Sequence, residues 1–310
     1  MHLRTSAALR ASLIVTLVAA SARAQINGPP KLSNPGTSYT VSATGAAGRL
    51  GTGSTAPSML QNYIGHVVFA AGRGRMDIVE GGVESMFGKG DYLLFDSTDV
   101  IVVHPSARDF LAIPRDLASR GMDQLEAMGL HVAIADEKVT LDSISVGDTV
   151  AGLPTRHFRM TVAFNMAMDA GLMQQRLGTE SVIDYWVTSS SLVPPNPLLR
   201  ANGFAAGPMT GGMFRTLSSK VDSVAAKMGT TSALKTRAIT RLMTGPGKTV
   251  ETQQVYEISN IAQRDVDDDL LVLPAGLSAA ALPGTELSRA SLDSLSAKWR
   301  APPAARQKAR

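Results

Sequence analysis

From Phe158 to Met168 every even position is large and apolar: Phe158, Met160, Val162, Phe164, Met166 and Met168. The odd positions are His157, Arg159, Thr161, Ala163, Asn165 and Ala167. Successive side chains of a strand point to opposite faces, so a period of two predicts one long strand with an apolar face and a polar or small face. Ile183, Tyr185 and Val187 alternate with Asp184 and Trp186 within Glu180 to Thr188, which is the expected antiparallel partner.

Short alternating runs precede this pair. Strands are expected at 37–44, 61–71, 74–79 and 110–113, with a turn at Gly72-Arg73. Tyr92-Leu93-Leu94-Phe95 and Val100-Ile101-Val102-Val103, on either side of Asp96-Ser97-Thr98-Asp99, read as a hairpin. A further strand is expected at 137–146. Residues 233–244 and 248–261 form a hairpin across Gly245-Pro246-Gly247. Helical spacing appears at Leu117, Met122, Leu125 and Met128, and again at Leu217, Val221, Val224 and Met228. These predict helical insertions near 114–129 and 198–229, and a last helix is expected within 286–299. The fold class is α+β, mainly antiparallel β, with 37–283 as a single domain, 25–36 as a linker and 284–310 as a C-terminal helix with a basic, disordered tail.

The first residues read as an export signal. Arg4 and Arg10 precede the apolar run Ala11 to Ala20, and Ala22-Arg23-Ala24 is a small-x-small cleavage site. Residues 1–24 are therefore expected to be removed and the chain exported, most simply to a periplasm. The apolar run is too short for a stable membrane anchor, and no other stretch reaches the length of a transmembrane span. The chain has no Cys, which excludes a disulfide framework and a lipidated cysteine.

Charge changes the picture once it is placed. The 310-residue chain carries +4, but loss of three arginines with the signal leaves +1. Lys298, Arg300, Arg306, Lys308 and Arg310 then lie in the tail with no acid, so the body between is net acidic. No basic surface for nucleic acid is expected.

The chemistry-bearing residues form no motif. His66, His104, His131 and His157 are scattered, without metal-ligand spacing. Asp265, Asp267, Asp268 and Asp269 lack the glycine and the distal acid of a calcium loop and read as a solvated turn. No Gly-x-Ser-x-Gly elbow occurs, and Gly48, Gly51 and Gly53 do not lead into a phosphate loop. The expectation is a protein that is not an enzyme and needs no cofactor or metal. Methionine suits surfaces that accept varied apolar partners. The candidate ligand face is accordingly Phe158, Met160, Val162, Phe164 and Met166; the alternative is that the two helices simply pack there.

Gly147-Asp148-Thr149-Val150-Ala151-Gly152-Leu153-Pro154-Thr155-Arg156-His157-Phe158, then Asp184-Tyr185-Trp186-Val187, then Tyr256-Glu257-Ile258 and Leu271-Val272-Leu273-Pro274-Ala275-Gly276, resemble an exported bacterial family of unknown function, domain family 4412. That family is similar to the lipoprotein-carrier fold of outer-membrane lipoprotein chaperones. The resemblance implies a curved half-barrel sheet with helices on its concave side, holding an acyl chain, a lipid or a lipid-modified protein. No functional residue of the carriers has a counterpart here. The alternative is an interaction protein of the envelope with a filled core, its basic tail touching anionic surfaces.

Overall fold

A computed structural model describes residues 33–47, 62–83, 86–113, 131–170, 173–193, 215–229, 232–245, 248–280 and 287–303. The expected signal peptide, the glycine-rich stretch after Ala47, the helix at 114–129, the proline-rich run from Pro194 and the last seven residues lie outside these.

Among these residues thirteen strands make one sheet. They are β1 (Ser33–Ala47), β2 (Asn62–Ala70), β3 (Arg73–Val83), β4 (Phe87–Gly88), β5 (Tyr92–Phe95), β6 (Val100–His104), β7 (Asp109–Ile113), β8 (His131–Val150), β9 (Leu153–Ala170), β10 (Met173–Thr188), β11 (Ser232–Gly245), β12 (Lys248–Asp267) and β13 (Ser278–Ala280). Their order is β13-β7-β6-β5-β3-β2-β1-β12-β11-β10-β9-β8, with β4 beside β3. Every pairing is antiparallel except the short parallel contact of β13 with β7. Among the described residues two helices accompany the sheet, α1 (Arg215–Ala225) and α2 (Arg289–Arg300). The expectation of a mainly antiparallel β protein with helices therefore holds. Among the described residues no helix is long and apolar enough to cross a membrane.

Several boundaries move for physical reasons. The β2–β3 hairpin turns on Ala71-Gly72 rather than Gly72-Arg73, and the β8–β9 hairpin on Ala151-Gly152; both residues of each turn have positive φ, as a tight two-residue hairpin requires. Strand β8 is twice the length expected, because β-bulges at 135–138, 143–145 and 146–148 shift its alternation. Residues 33–36, expected in the linker, begin β1. Pro35 fits there because β2 joins β1 only from Gly36 onward, leaving Pro35 paired with β12 alone. The expected acidic turn is the end of β12 running into a short 3-10 turn (Asp268–Leu271), and the Asn34 amide donates to the buried Asp268 at 2.6 Å.

The register settles which residues share a face. Phe158, Tyr185, Thr236, Tyr256, Ala43 and Tyr63 stand opposite one another across six successive strands. The cluster beneath α1 and the larger cluster around Tyr63, Met76 and Leu93 thus lie on one face of the sheet. Val150 and Leu153, at the β8–β9 turn, join the same buried cluster as Val102 and Leu111 from the opposite end of the strand order.

On the other face Tyr92, Leu94, Ile101, Val103 and Phe110 are closed by α2 through Trp299, which is 0 % exposed. Ser288 caps the helix start by accepting from the Ser291 amide. Arg73 donates to the carbonyls of Lys298 and Ala301 at 2.8 and 2.7 Å and lies over the Trp299 ring, satisfying helix-end acceptors. Lys298 pairs with Asp96 at 2.7 Å and with Asp99. Lys298 is therefore part of a docked helix, which corrects its assignment to a free basic tail.

Replacing Trp299→Ala is expected to cost about 3–5 kcal/mol, because it empties a closed aromatic site. Lys298→Ala is expected to cost less than about 1 kcal/mol, because its ammonium is partly solvated. Denaturant unfolding of the two variants measures this order, and equal losses would contradict it.

Candidate functional site

The predicted face forms as a unit. Phe158, Met160, Val162 and Phe164 are buried and Met160 is 0 % exposed, whereas Met166 is half-buried at the margin. Ile183, Tyr185 and Val187 of β10 and Ala238 of β11 extend the surface. Half-buried Val132, Ile134, Val139 and Leu141 of β8 continue it to the sheet edge.

Helix α1 lies on this surface. Leu217, Val221 and Val224 recur at helical spacing, and the 3-10 turn that follows (Ala226–Met228) carries Met228 onto the same side. Leu217 and Met228 are buried, and Val221 and Val224 are half-buried. An ion pair, Lys220 Nζ to Glu137 Oε2 at 2.6 Å, ties the helix to β8. Gly229, at φ +82°, ends the turn. Two grooves of about 540 and 460 Å³ flank α2, but neither reaches the predicted face.

Tyr185 adds a polar group that the sequence reading passed over. Its ring is 2 % exposed, and its hydroxyl is buried with no hydrogen-bond partner among the described residues. Burial pushes the phenol far above its ordinary range, so the group is a neutral O–H donor at any physiological pH. A buried hydroxyl without a partner costs about 1–3 kcal/mol, so the position demands an explanation.

The opposite face of the same strands is polar. The Asp184 carboxylate, 7 % exposed, accepts from Arg159 Nε at 2.9 Å and is 3.0 Å from His157 Nε2, both on the same oxygen. The His157 ring stacks on Trp186 with centroids 4.3 Å apart. Lys235 pairs with Glu257 at 3.0 Å, and Arg241 bridges Glu180 and Glu251 at 3.2 and 3.0 Å. Burial alone would raise the Asp184 pKa, but the bonds from Arg159 and His157 and their charges outweigh it and hold the carboxyl below its ordinary value. The remaining histidines are dispersed: His104 lies 3.1 Å from Asp91 and His66 lies 3.2 Å from Thr40. The residues at Asp184 make a strand-to-strand clasp on an open sheet surface.

The pH dependence follows from the sign of that shift. The folded pKa is depressed, so the clasp stabilises the fold above the unfolded carboxylate's pKa of about 4 and loses that contribution as pH falls through the lower folded value. Asp184→Asn should lose about 1–2 kcal/mol at neutral pH, since charge-assisted bonds are replaced by neutral ones. It should also flatten the acid limb of a stability–pH curve, measured by denaturant unfolding between neutral and strongly acid pH. An unchanged acid limb would show that protonation of Asp184 costs the fold nothing.

No protein-family model matches the sequence, and no curated protein matches it. Among solved structures, an uncharacterized conserved protein from Thermus thermophilus aligns over 81% of this chain and 92% of its own, at 9% identity and a TM-score of 0.31.

Proposed function

We propose that the protein is an exported, non-enzymatic binding protein that holds an acyl chain or lipid against the face of Phe158, Met160, Val162, Phe164 and Met166, with α1 as its cover. The observation that carries this reading is the Tyr185 hydroxyl, a buried donor with no partner among the described residues, inside an otherwise apolar cluster. A ligand with one polar end and an alkyl body would satisfy that donor and bury its chain on the methionine-rich strand. The driving force is the removal of alkyl surface from water, roughly 25 cal/mol per Å² before ordering costs.

The curved half-barrel and the kinship to domain family 4412 belong to the same proposal. In their support, Gly147 to Thr188 forms the consecutive strands from the end of β8 to β10. Periplasmic residence rests on the signal-like first 24 residues.

A second reading, an envelope interaction protein with a filled core, is favoured by the burial of Leu217 and Met228 against the same strands. In it α1 is a permanent plug, the Tyr185 hydroxyl is simply tolerated, and the basic residues after Pro303 touch anionic surfaces.

Titration with a fluorescent fatty acid separates the two. The carrier reading expects saturable binding, weakened about tenfold by Met166→Lys at the half-buried margin. Tyr185→Phe should stabilise the free protein by about 1 kcal/mol, since it removes an unsatisfied group. The same change should abolish preference for a fatty acid over its hydrocarbon analogue. Absence of binding by any acyl probe would leave the filled-core reading.

A further inference from the structure

The two ends of the sheet are built differently. One ends in β13, three residues long and beside α2's attachment, which is a common way to blunt an edge. The other ends in β8, twenty residues long and bonded only to β9 among the described strands. Lys138, Thr140 and Asp142 on this edge are exposed, and Ile144 and Val146 are 47 % and 76 % exposed. An open edge presents a row of backbone donors and acceptors to any extended chain.

The sequence of this edge selects an occupant. Bulges at 135–138 and 143–145 leave Lys138 to Ser143 as an uninterrupted stretch. Lys138, Thr140 and Asp142 face the polar side with Arg159, while Val139 and Leu141 face the α1 side with Val162 and Met160. A second copy approaching antiparallel must match polar side to polar side, which restricts the register. Centred on Thr140, the pairing sets Lys138 opposite Asp142 twice and Val139 opposite Leu141 twice. No other register allowed by the faces brings both charges onto opposite charges. We propose that the protein forms a two-fold symmetric dimer by antiparallel pairing of β8 with β8 of a second copy, in this register. The interface is isologous, and it consumes the long edge of each copy, so the assembly closes at two chains. The flanking bulges confine pairing to the central stretch and oppose fibre growth.

Charge exchange tests the register directly, with sedimentation equilibrium as the readout. Lys138→Glu creates two like-charge pairs across the interface and should weaken self-association about tenfold, and Asp142→Lys should do the same. Mixed in equal amounts, the two variants recreate both opposite-charge pairs and should associate at least as well as the parent chain. Asp142 also faces Arg159 within its own chain, so Asp142→Lys lowers the melting temperature whereas Lys138→Glu does not. A second measurement does not depend on that variant folding: amide exchange in β8 of the parent protein should slow as protein concentration rises, and that in β12 should not. A chain that stays monomeric at all concentrations overturns the proposal. So does a dimer indifferent to Lys138→Glu, a mixture that fails to restore association, or an edge that pairs with an added extended peptide but never with its own copy.

Discussion

Everything in this structure depends on the pleat being obeyed across many strands at once. A strand sends alternate side chains to opposite faces, and hydrogen-bonded neighbours must keep that alternation in step. Here the row from Phe158 through Tyr185, Thr236 and Tyr256 to Tyr63 stays on one face. The neighbouring row carries Arg159, Asp184 and Arg237 on the other. Because the first row is almost wholly apolar, it must be covered; because the second is polar, it can face water. A one-residue slip between β9 and β10 would exchange the two and bury the Asp184 clasp beneath α1. The clasp and the apolar cluster therefore enforce the same register from opposite sides.

The two described helices cover opposite faces and are held by different forces. Helix α2 is fixed by a fully buried indole, a backbone bond from Leu273 to the Trp299 carbonyl, a guanidinium on its last carbonyls and a lysine between two aspartates. Asp96 reflects this: desolvation would raise its pKa, but bonds from Lys298 and the Thr98–Asp99 turn lower it instead. Helix α1 has two buried apolar side chains, a margin of half-buried ones and an ion pair through the exposed Lys220. That pair is worth little, because its ammonium is close to half-exposed. α2 is thus a structural clamp, and the binding proposal requires that α1 can leave its seat.

Much of the sheet is legible in the sequence, and the reason is periodicity. Six even-numbered apolar positions in β9 cannot be satisfied by a helix, and the hairpins at 92–103 and 233–261 declare themselves by apolar runs around polar or glycine-rich turns. What is not legible depends on register. His157 and Arg159 are visible as polar-face residues, as are Asp184 and Trp186, but only the pairing of 159 with 184 and 157 with 186 joins them into a clasp. Tyr185 reads as one apolar position among several, because a sequence cannot show where a hydroxyl is buried or what it meets. The extent of β8 is hidden by its bulges, each of which reverses the alternation that would reveal a strand. Lys298 reads as part of a basic tail, and the burial of Trp299 goes unseen, because their partners lie some two hundred residues away.

Amide hydrogen exchange of α1 against β9 bears most directly on the claim that a removable cover sits on an apolar sheet face. The account predicts that α1 amides exchange by local opening, well ahead of those of β9 and β10, which wait for global unfolding, and that a bound acyl ligand slows α1 selectively. Protection of α1 equal to that of β9, unaltered by any acyl ligand, would contradict it and identify the helix as a fixed part of the core.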